Sequence, residues 1–161
     1  MAAADDVMTI AEQEELLRFS AFDADSAWAL GSLLRGKARA TGVGCTMEIE
    51  VAGQVLFACA TVGASPGQVE WIRRKRNTVR RFLKSSYAVG RELEVSGEDF
   101  ETRHAISLKD YAAHGGGFPI VVRAVGCVGS VVFSGLPQRE DHGVVVAAIA
   151  EFLGVDAPFL P

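Results

Sequence analysis

Lys75 is the residue whose position first asks for a chemical explanation. At about 100° per residue, Trp71, Lys75, Val79, Phe82 and Ser86 fall on one stripe of the segment that follows Ser65-Pro66-Gly67. An ammonium and a hydroxyl therefore share the apolar face with two aromatics. A charge turned toward a core needs a carboxylate, a run of carbonyls or a bound anion, because leaving it unpaired in low dielectric is costly. The competing expectation is a lysine stem that runs along Trp71 and delivers its amine to water.

Two further clusters carry groups of the right type. His114-Gly115-Gly116-Gly117-Phe118-Pro119 has three glycines, which let a ligand approach backbone N–H groups, although the same residues suit a tight turn into a strand. Ser134 to His142 joins a strand to a helix and sets Asp141 and His142 at a helix start, where an acid is stabilised and an anion is welcomed. The simpler expectation is that Asp141 caps the helix and His142 is an exposed first-turn residue. Taken together, the candidate ligand-binding residues are Lys75, Ser86, His114, Gly115, Gly116, Gly117, Asp141 and His142.

Other chemistries are poorly supported. A His-Gly-Gly-Gly oxyanion loop resembles that of some esterases, but their G-x-S-x-G nucleophile motif is absent and Ser134 in Phe-Ser-Gly-Leu is a partial echo. A weak hydrolase using His114 or His142 as base, with the glycine loop as oxyanion stabiliser, is the enzymatic alternative, and no catalytic residue is assigned. The histidines at 104, 114 and 142 have no metal-motif spacing, and Cys45, Cys59 and Cys127 read as reduced core residues, so no metal ligand is assigned and the cofactor is unknown.

The elements that must position these groups follow from periodicity. Ile10–Phe19 and Ser26–Thr41 read as helices, the second capped by Asp25 and stopped by Gly42. Cys45, Met47, Ile49 and Val51 alternate with Thr46, Glu48 and Glu50, and a turn at Ala52-Gly53-Gln54 leads into Val55–Val62, giving a hairpin. One long helix is expected from Ser65 to about Val89, and a short one at Ser107–Ala113. Ile120–Val125 and Val128–Ser134 form a second hairpin around Gly126, Asp141–Leu153 a closing helix, and Asp156–Pro161 a loose end. Two hairpins imply an antiparallel sheet of four or five strands with helices on its faces, an α/β (α+β) fold in one domain spanning 1–161.

Charge and composition narrow the partners. The chain has 161 residues, 49% apolar and 22% charged, with a formal net charge of −4. Seven of its sixteen basic residues lie between Arg73 and Lys84 with no acid among them. A phosphate footprint is one explanation, but an acidic chain with no recognition motif favours a solvated face or a face that meets acid on a sister subunit. Nucleic acid is therefore disfavoured, self-association is expected, and the absence of an apolar run or export signal predicts a cytoplasmic protein with no membrane partner.

Several separated blocks, in order, carry a family resemblance: Trp71-Ile72-Arg73-Arg74-Lys75-Arg76-Asn77-Thr78-Val79, Ser85-Ser86, Gly115 to Ile120, Gly129 to Pro137, and Asp141-His142. The chain resembles a bacterial and fungal family within the haem-degrading-domain (GlcG/HbpS-like) superfamily. That resemblance implies a profilin-like or PAS-like layered fold with a central antiparallel sheet, and homo-oligomers. Some distant relatives bind haem or iron, but no haem-attachment motif occurs here. The function that these features favour is an oligomeric module binding a small anionic or planar ligand, more a binding protein than an enzyme. The alternative is a structural or adaptor oligomer.

Overall fold

In the computed structural model, which describes residues 2–161, two hairpins meet to form a single sheet. Helix α1 (Ala3–Leu16) and α2 (Ala24–Thr41) precede β1 (Thr46–Val51) and β2 (Gln54–Ala60). Then come α3 (Gly67–Phe82), α4 (Ser86–Ser96) and α5 (Phe100–His104), followed by β3 (Gly117–Val122), β4 (Gly126–Ser134) and α6 (Gln138–Leu153). The strand order is β2-β1-β4-β3, and every neighbouring pair is antiparallel. The fold is thus the mixed, antiparallel-sheet architecture that two hairpins require, with four strands.

Strand alternation divides the sheet into two chemically different faces. Met47, Ile49, Phe118, Ile120, Val131 and Phe133 pack with Ala27, Leu30 and Leu34 of α2 and with Val145, Ala148 and Ile149 of α6, forming the main core. The other face presents Thr46, Glu48 and Glu50, and α3 lies across it. Arg76 meets Glu48 at 2.6 Å and Arg80 meets Glu50 at 3.0 Å. Arg73 bonds Glu70 and Asp110, and Lys84 bonds Glu92. For Arg73, Arg76, Arg80 and Lys84 the answering acid therefore comes from the same chain, so these four need no sister subunit or phosphate. Arg74 and Arg81, among the described residues, reach only the carbonyls of Leu108 and His104.

The long helix expected from Ser65 to Val89 is two helices. Leu83 adopts a left-handed conformation with φ of 57° that closes α3, and Ser85 restarts the chain by accepting a hydrogen bond from Ala88 N at 3.1 Å. Glu14 of α1 accepts the Ser85 N–H, so the break is fixed by packing of α1 on α4 as well as by the cap.

The helix expected at Ser107–Ala113 does not form. Asn77 donates to Asp110 O, and Thr78 Oγ1 bonds both Ala112 O and Ala112 N, so this segment's backbone is spent on α3. The helical turn falls earlier, at α5, where Asp99 accepts from Thr102 N.

Three end positions also differ from expectation. Helix α1 starts at Ala3 rather than Ile10 because its inward face carries the polar Asp6 and Gln13, which apolar periodicity does not register. Asp23, not Asp25, caps α2 in a reciprocal box with Ser26. The tail is held rather than loose: Gln13 donates to Pro158 O at 2.7 Å, Arg139 to Pro161 O at 3.1 Å, and Leu160 packs on Ile10, Tyr87 and Ala88. Among the described residues no helix is long and apolar enough to cross a membrane.

Candidate functional site

Lys75 sits in the middle of α3 with its side chain 3% exposed. Its Nζ donates to Asp141 Oδ2 at 3.0 Å and to the Phe133 carbonyl at 2.9 Å. Asp141 lies in the first turn of α6, and its other oxygen accepts from Leu136 N at 2.9 Å. It does not cap α6, whose N-cap is Pro137; instead it clasps the β4–α6 loop while neutralising a lysine from the opposite side of the sheet.

The pair closes one end of a cleft of about 330 Å³ lined by Gln68, Trp71, Lys75, His114, Ser134, Gly135, Leu136, Gln138 and Asp141. Its walls come from α3, the loop before β3, the end of β4 and the start of α6. Those four converge because β3 and β4 are paired and α3 crosses both. His114 stands edge-on to Trp71, with ring centroids 5.0 Å apart, and the Arg74 guanidinium covers Trp71 at 4.1 Å.

Electrostatics in the cleft are set by burial. Desolvation pushes the Lys75 ammonium below the usual lysine range, with Arg74 adding to the effect and Asp141 opposing it. Desolvation likewise pushes Asp141 up, against the pull of Lys75 and the Leu136 N–H. Burial, followed by the charges of Lys75 and Arg74, lowers His114, so its imidazole is neutral at physiological pH. The site thus contains an ammonium and a carboxylate that are both costly to keep charged, beside a neutral histidine.

The remaining expected site residues lie elsewhere. Ser86 is fully buried beneath the loop: its Oγ donates to His114 O and accepts from Gly117 N at 2.9 Å. It shapes the loop and does not line the cleft. Gly115, Gly116 and Gly117 are buried, not an open cradle. Gly115 N donates to Gln138 Oε1, and Gly116 O accepts from Phe133 N. With the Gly115 and Gly117 amides already committed, the loop lacks the paired free donors that an oxyanion hole requires.

A Cβ at Gly115 would collide with the Gln138 carbonyl, and one at Gly116, where φ is +126°, with the Phe133 carbonyl. These glycines allow backbone to pack on backbone.

His142 points away from Asp141. It is 1% exposed, its Nε2 lies 2.7 Å from Gln13 Oε1, and it packs between Tyr87 and Phe118. It is neither an exposed first-turn residue nor a member of the cleft. Gln68, Trp71, Ser134, Gly135, Leu136 and Gln138 complete the lining, and of these Trp71 and Ser134 carried a chemical signal in the sequence. Gln68 and Gln138 are ordinary helix-start residues until the fold brings them together.

The family model for "Haem degrading protein HbpS-like" matches residues 22–150. The chain belongs to the HbpS-like family. A UPF0303 protein of Serratia proteamaculans is 46% identical to this HbpS-like chain over 96% of each sequence, and one of Rhizobium meliloti is 48% identical over 94% of this chain and 92% of that one. The crystal structure of Ybr137w superposes with a TM-score of 0.84 at 26% identity, covering 92% of this chain and 87% of that one. A PduOC:heme complex superposes at 0.69 with 16% identity, covering 88% and 99%, a likeness of fold.

The family description raises haem, and the residues of this HbpS-like chain do not fit an enclosed one. Haem needs an axial ligand and a pocket shaped around the macrocycle. His114 is the one cleft histidine, Trp71 and Leu136 are the only large apolar side chains among the lining residues, and the remaining walls are polar. A volume of about 330 Å³ lies near the lower end of pockets for small ligands. His104 is occupied between Phe82 and Phe100. Among the described residues no three His, Cys, Asp or Glu gather as a metal site.

Proposed function

We propose that this HbpS-like protein binds a small anionic or planar metabolite in the cleft between α3 and α6. One observation carries the reading: a desolvated Lys75 closes a small concave site whose polar walls include His114, Ser134 and Gln138. An ammonium carries three protons, and Asp141 and Phe133 take two of them. Gln138 spends its amide oxygen on Gly115 N, which leaves its amide nitrogen for a ligand. The Trp71 ring supplies a planar wall. A cytoplasmic location accords with this metabolite-binding role.

The test is a melting-temperature screen over short carboxylates, nucleotides and haem, with wild type and Gln138→Ala compared. A ligand present at 100 times its Kd stabilises by about 2.7 kcal/mol, which moves the melting point by several degrees. The expected outcome is a rise with a small anion that is reduced in Gln138→Ala. A flat response to every compound refutes the cleft as a binding site.

A specific observation also supports self-association. Strand β2 is a sheet edge whose sequence Gln54–Ala60 has no charge and no proline, the usual devices that block edge pairing. Within it Val55 is 49% exposed, and Trp28, which packs on Phe57 of the strand, is 68% exposed. We propose that copies meet along this edge, so that Ala58→Lys lowers the mass measured by light scattering. An unchanged mass, or a monomeric wild type, refutes the edge as the contact.

A further inference from the structure

We propose that the Lys75 amine forms a Schiff base with a short carboxylated aldehyde or ketone held in the cleft. This deepens the ligand-binding reading of the same site and rests on it.

The placement of the amine is the first ground. Of the four lysines, Lys37 and Lys84 have side chains 32% and 35% exposed and Lys109 is on the surface, whereas Lys75 is 3% exposed and lines a concave site. A lysine turned into a cleft and stripped of water is the type of amine that attacks carbonyl carbon, because only the unprotonated form is nucleophilic. Burial and the neighbouring Arg74 both favour that form.

The second ground is the proton acceptor. Asp141 touches Nζ at 3.0 Å, and burial makes its carboxyl readier to hold a proton than an ordinary aspartate. Transfer of one proton from the Lys75 ammonium to Asp141 gives a neutral amine and a neutral acid. The amine nitrogen adds to the carbonyl carbon, and after its proton moves to the new oxygen a carbinolamine stands in the cleft. Asp141 then returns its proton to that hydroxyl, the C–O bond breaks, and water leaves.

The product is a protonated imine bearing one positive charge beside an ionised Asp141. The reaction therefore begins and ends with a cation paired to Asp141, so the chemical step itself adds no new net charge to the low-dielectric site.

The third ground concerns the other end of the substrate. The Gln138 amide nitrogen, the Ser134 hydroxyl and the His114 imidazole line the same cleft. Neutral donors of this kind suit a carboxylate, and a compound of a few carbons matches about 330 Å³.

Pyruvate serves as the probe, with sodium cyanoborohydride added near neutral pH to reduce any imine to a stable secondary amine, followed by peptide mass mapping of the whole protein. Exposure alone ranks Lys75 last among the lysines. The proposal ranks it first, with an adduct several-fold above that on Lys37, Lys84 or Lys109, and lost from the α3 peptide in Lys75→Arg.

Labelling that follows exposure, with Lys75 unmodified, overturns the proposal. If pyruvate raises the melting temperature but leaves Lys75 unmodified, the Schiff base falls and carboxylate binding stands. If pyruvate gives no adduct and no compound in the wider screen shifts melting, both fall. Because the decisive comparison is among lysines of the wild-type protein, a variant that fails to fold does not obscure it.

Discussion

Asp141→Ala destabilises the protein by about 3–5 kcal/mol at neutral pH, the usual cost of removing one partner of a buried ion pair. Two groups lose their acceptor: the Lys75 ammonium keeps only the Phe133 carbonyl, and Leu136 N is left without the carboxylate that fixes the β4–α6 loop. Urea unfolding measures the loss. The deficit depends on pH in a defined sense. Without Asp141, the folded state disfavours a charged Lys75, so the unfolded chain binds more protons and the variant gains stability as pH rises toward the unfolded lysine value of about 10.4. Replacing both partners, Lys75→Met with Asp141→Leu, restores much of the loss because no charge remains buried. A single variant that unfolds like wild type at pH 7 shows that the pair is dispensable to the fold.

The second large effect is acid destabilisation through His142. Burial, with the nearby Arg139 charge adding to it and Asp6 opposing it, pushes this imidazole down to about 3. Its tautomer is set by a chain of bonds: Gln13 Nε2 donates to Pro158 O, so Gln13 Oε1 faces His142 and accepts from its Nε2–H. Nδ1 is then a bare acceptor, buried and without a partner.

A depressed value means that the folded state binds fewer protons than the unfolded one. The stabilising contribution is complete above the unfolded value of about 6.5 and falls with pH until about 3. Across that window His142 alone removes roughly 1.4 kcal/mol per pH unit. His142→Gln, which keeps a donor for Gln13, flattens the stability–pH curve between these limits. An identical slope in the variant assigns acid sensitivity to other groups.

Asp6 is distinguishable from His142 by its window. Burial raises its carboxyl, but hydrogen bonds from Arg139 and the charges of Arg139 and Arg91 outweigh that and hold it below the usual range. Its contribution is present above the ordinary aspartate value and is lost only as pH falls through the depressed one. The slope near pH 5 therefore separates His142 from Asp6. Glu14 and Asp141, whose carboxyls burial raises, contribute there with the opposite sign, so the His142 share is the difference between wild type and His142→Gln.

Much of the fold was legible because its signals are local. Alternation in Cys45 to Val51, the Ala52-Gly53-Gln54 turn and the apolar period of Asp141–Leu153 each arise within a few residues, and two hairpins leave few alternatives to an antiparallel sheet. Where local signals conflicted, tertiary contacts decided. Ser85 is a good N-cap type, yet helical periodicity continues past it, and the break depends on Glu14 from a distant helix. The acids of β1 alternate as solvent residues do, but Glu50 is 3% exposed because α3 covers it with arginines.

The candidate site divides along the same line. The sequence by itself determined that an ammonium lies on the apolar side of an arginine-rich helix, since helical phase is a property of short segments, and it left open whether that amine meets a partner there or runs along Trp71 to water. Only the tertiary structure decided that Asp141 answers it from sixty-six residues away, that Gln68 and Gln138 share its cleft, and that Ser86 and His142 do not. Which groups meet is set by how α3 and α6 pack against β4. That packing depends on the whole core, and no spacing along the chain encodes it.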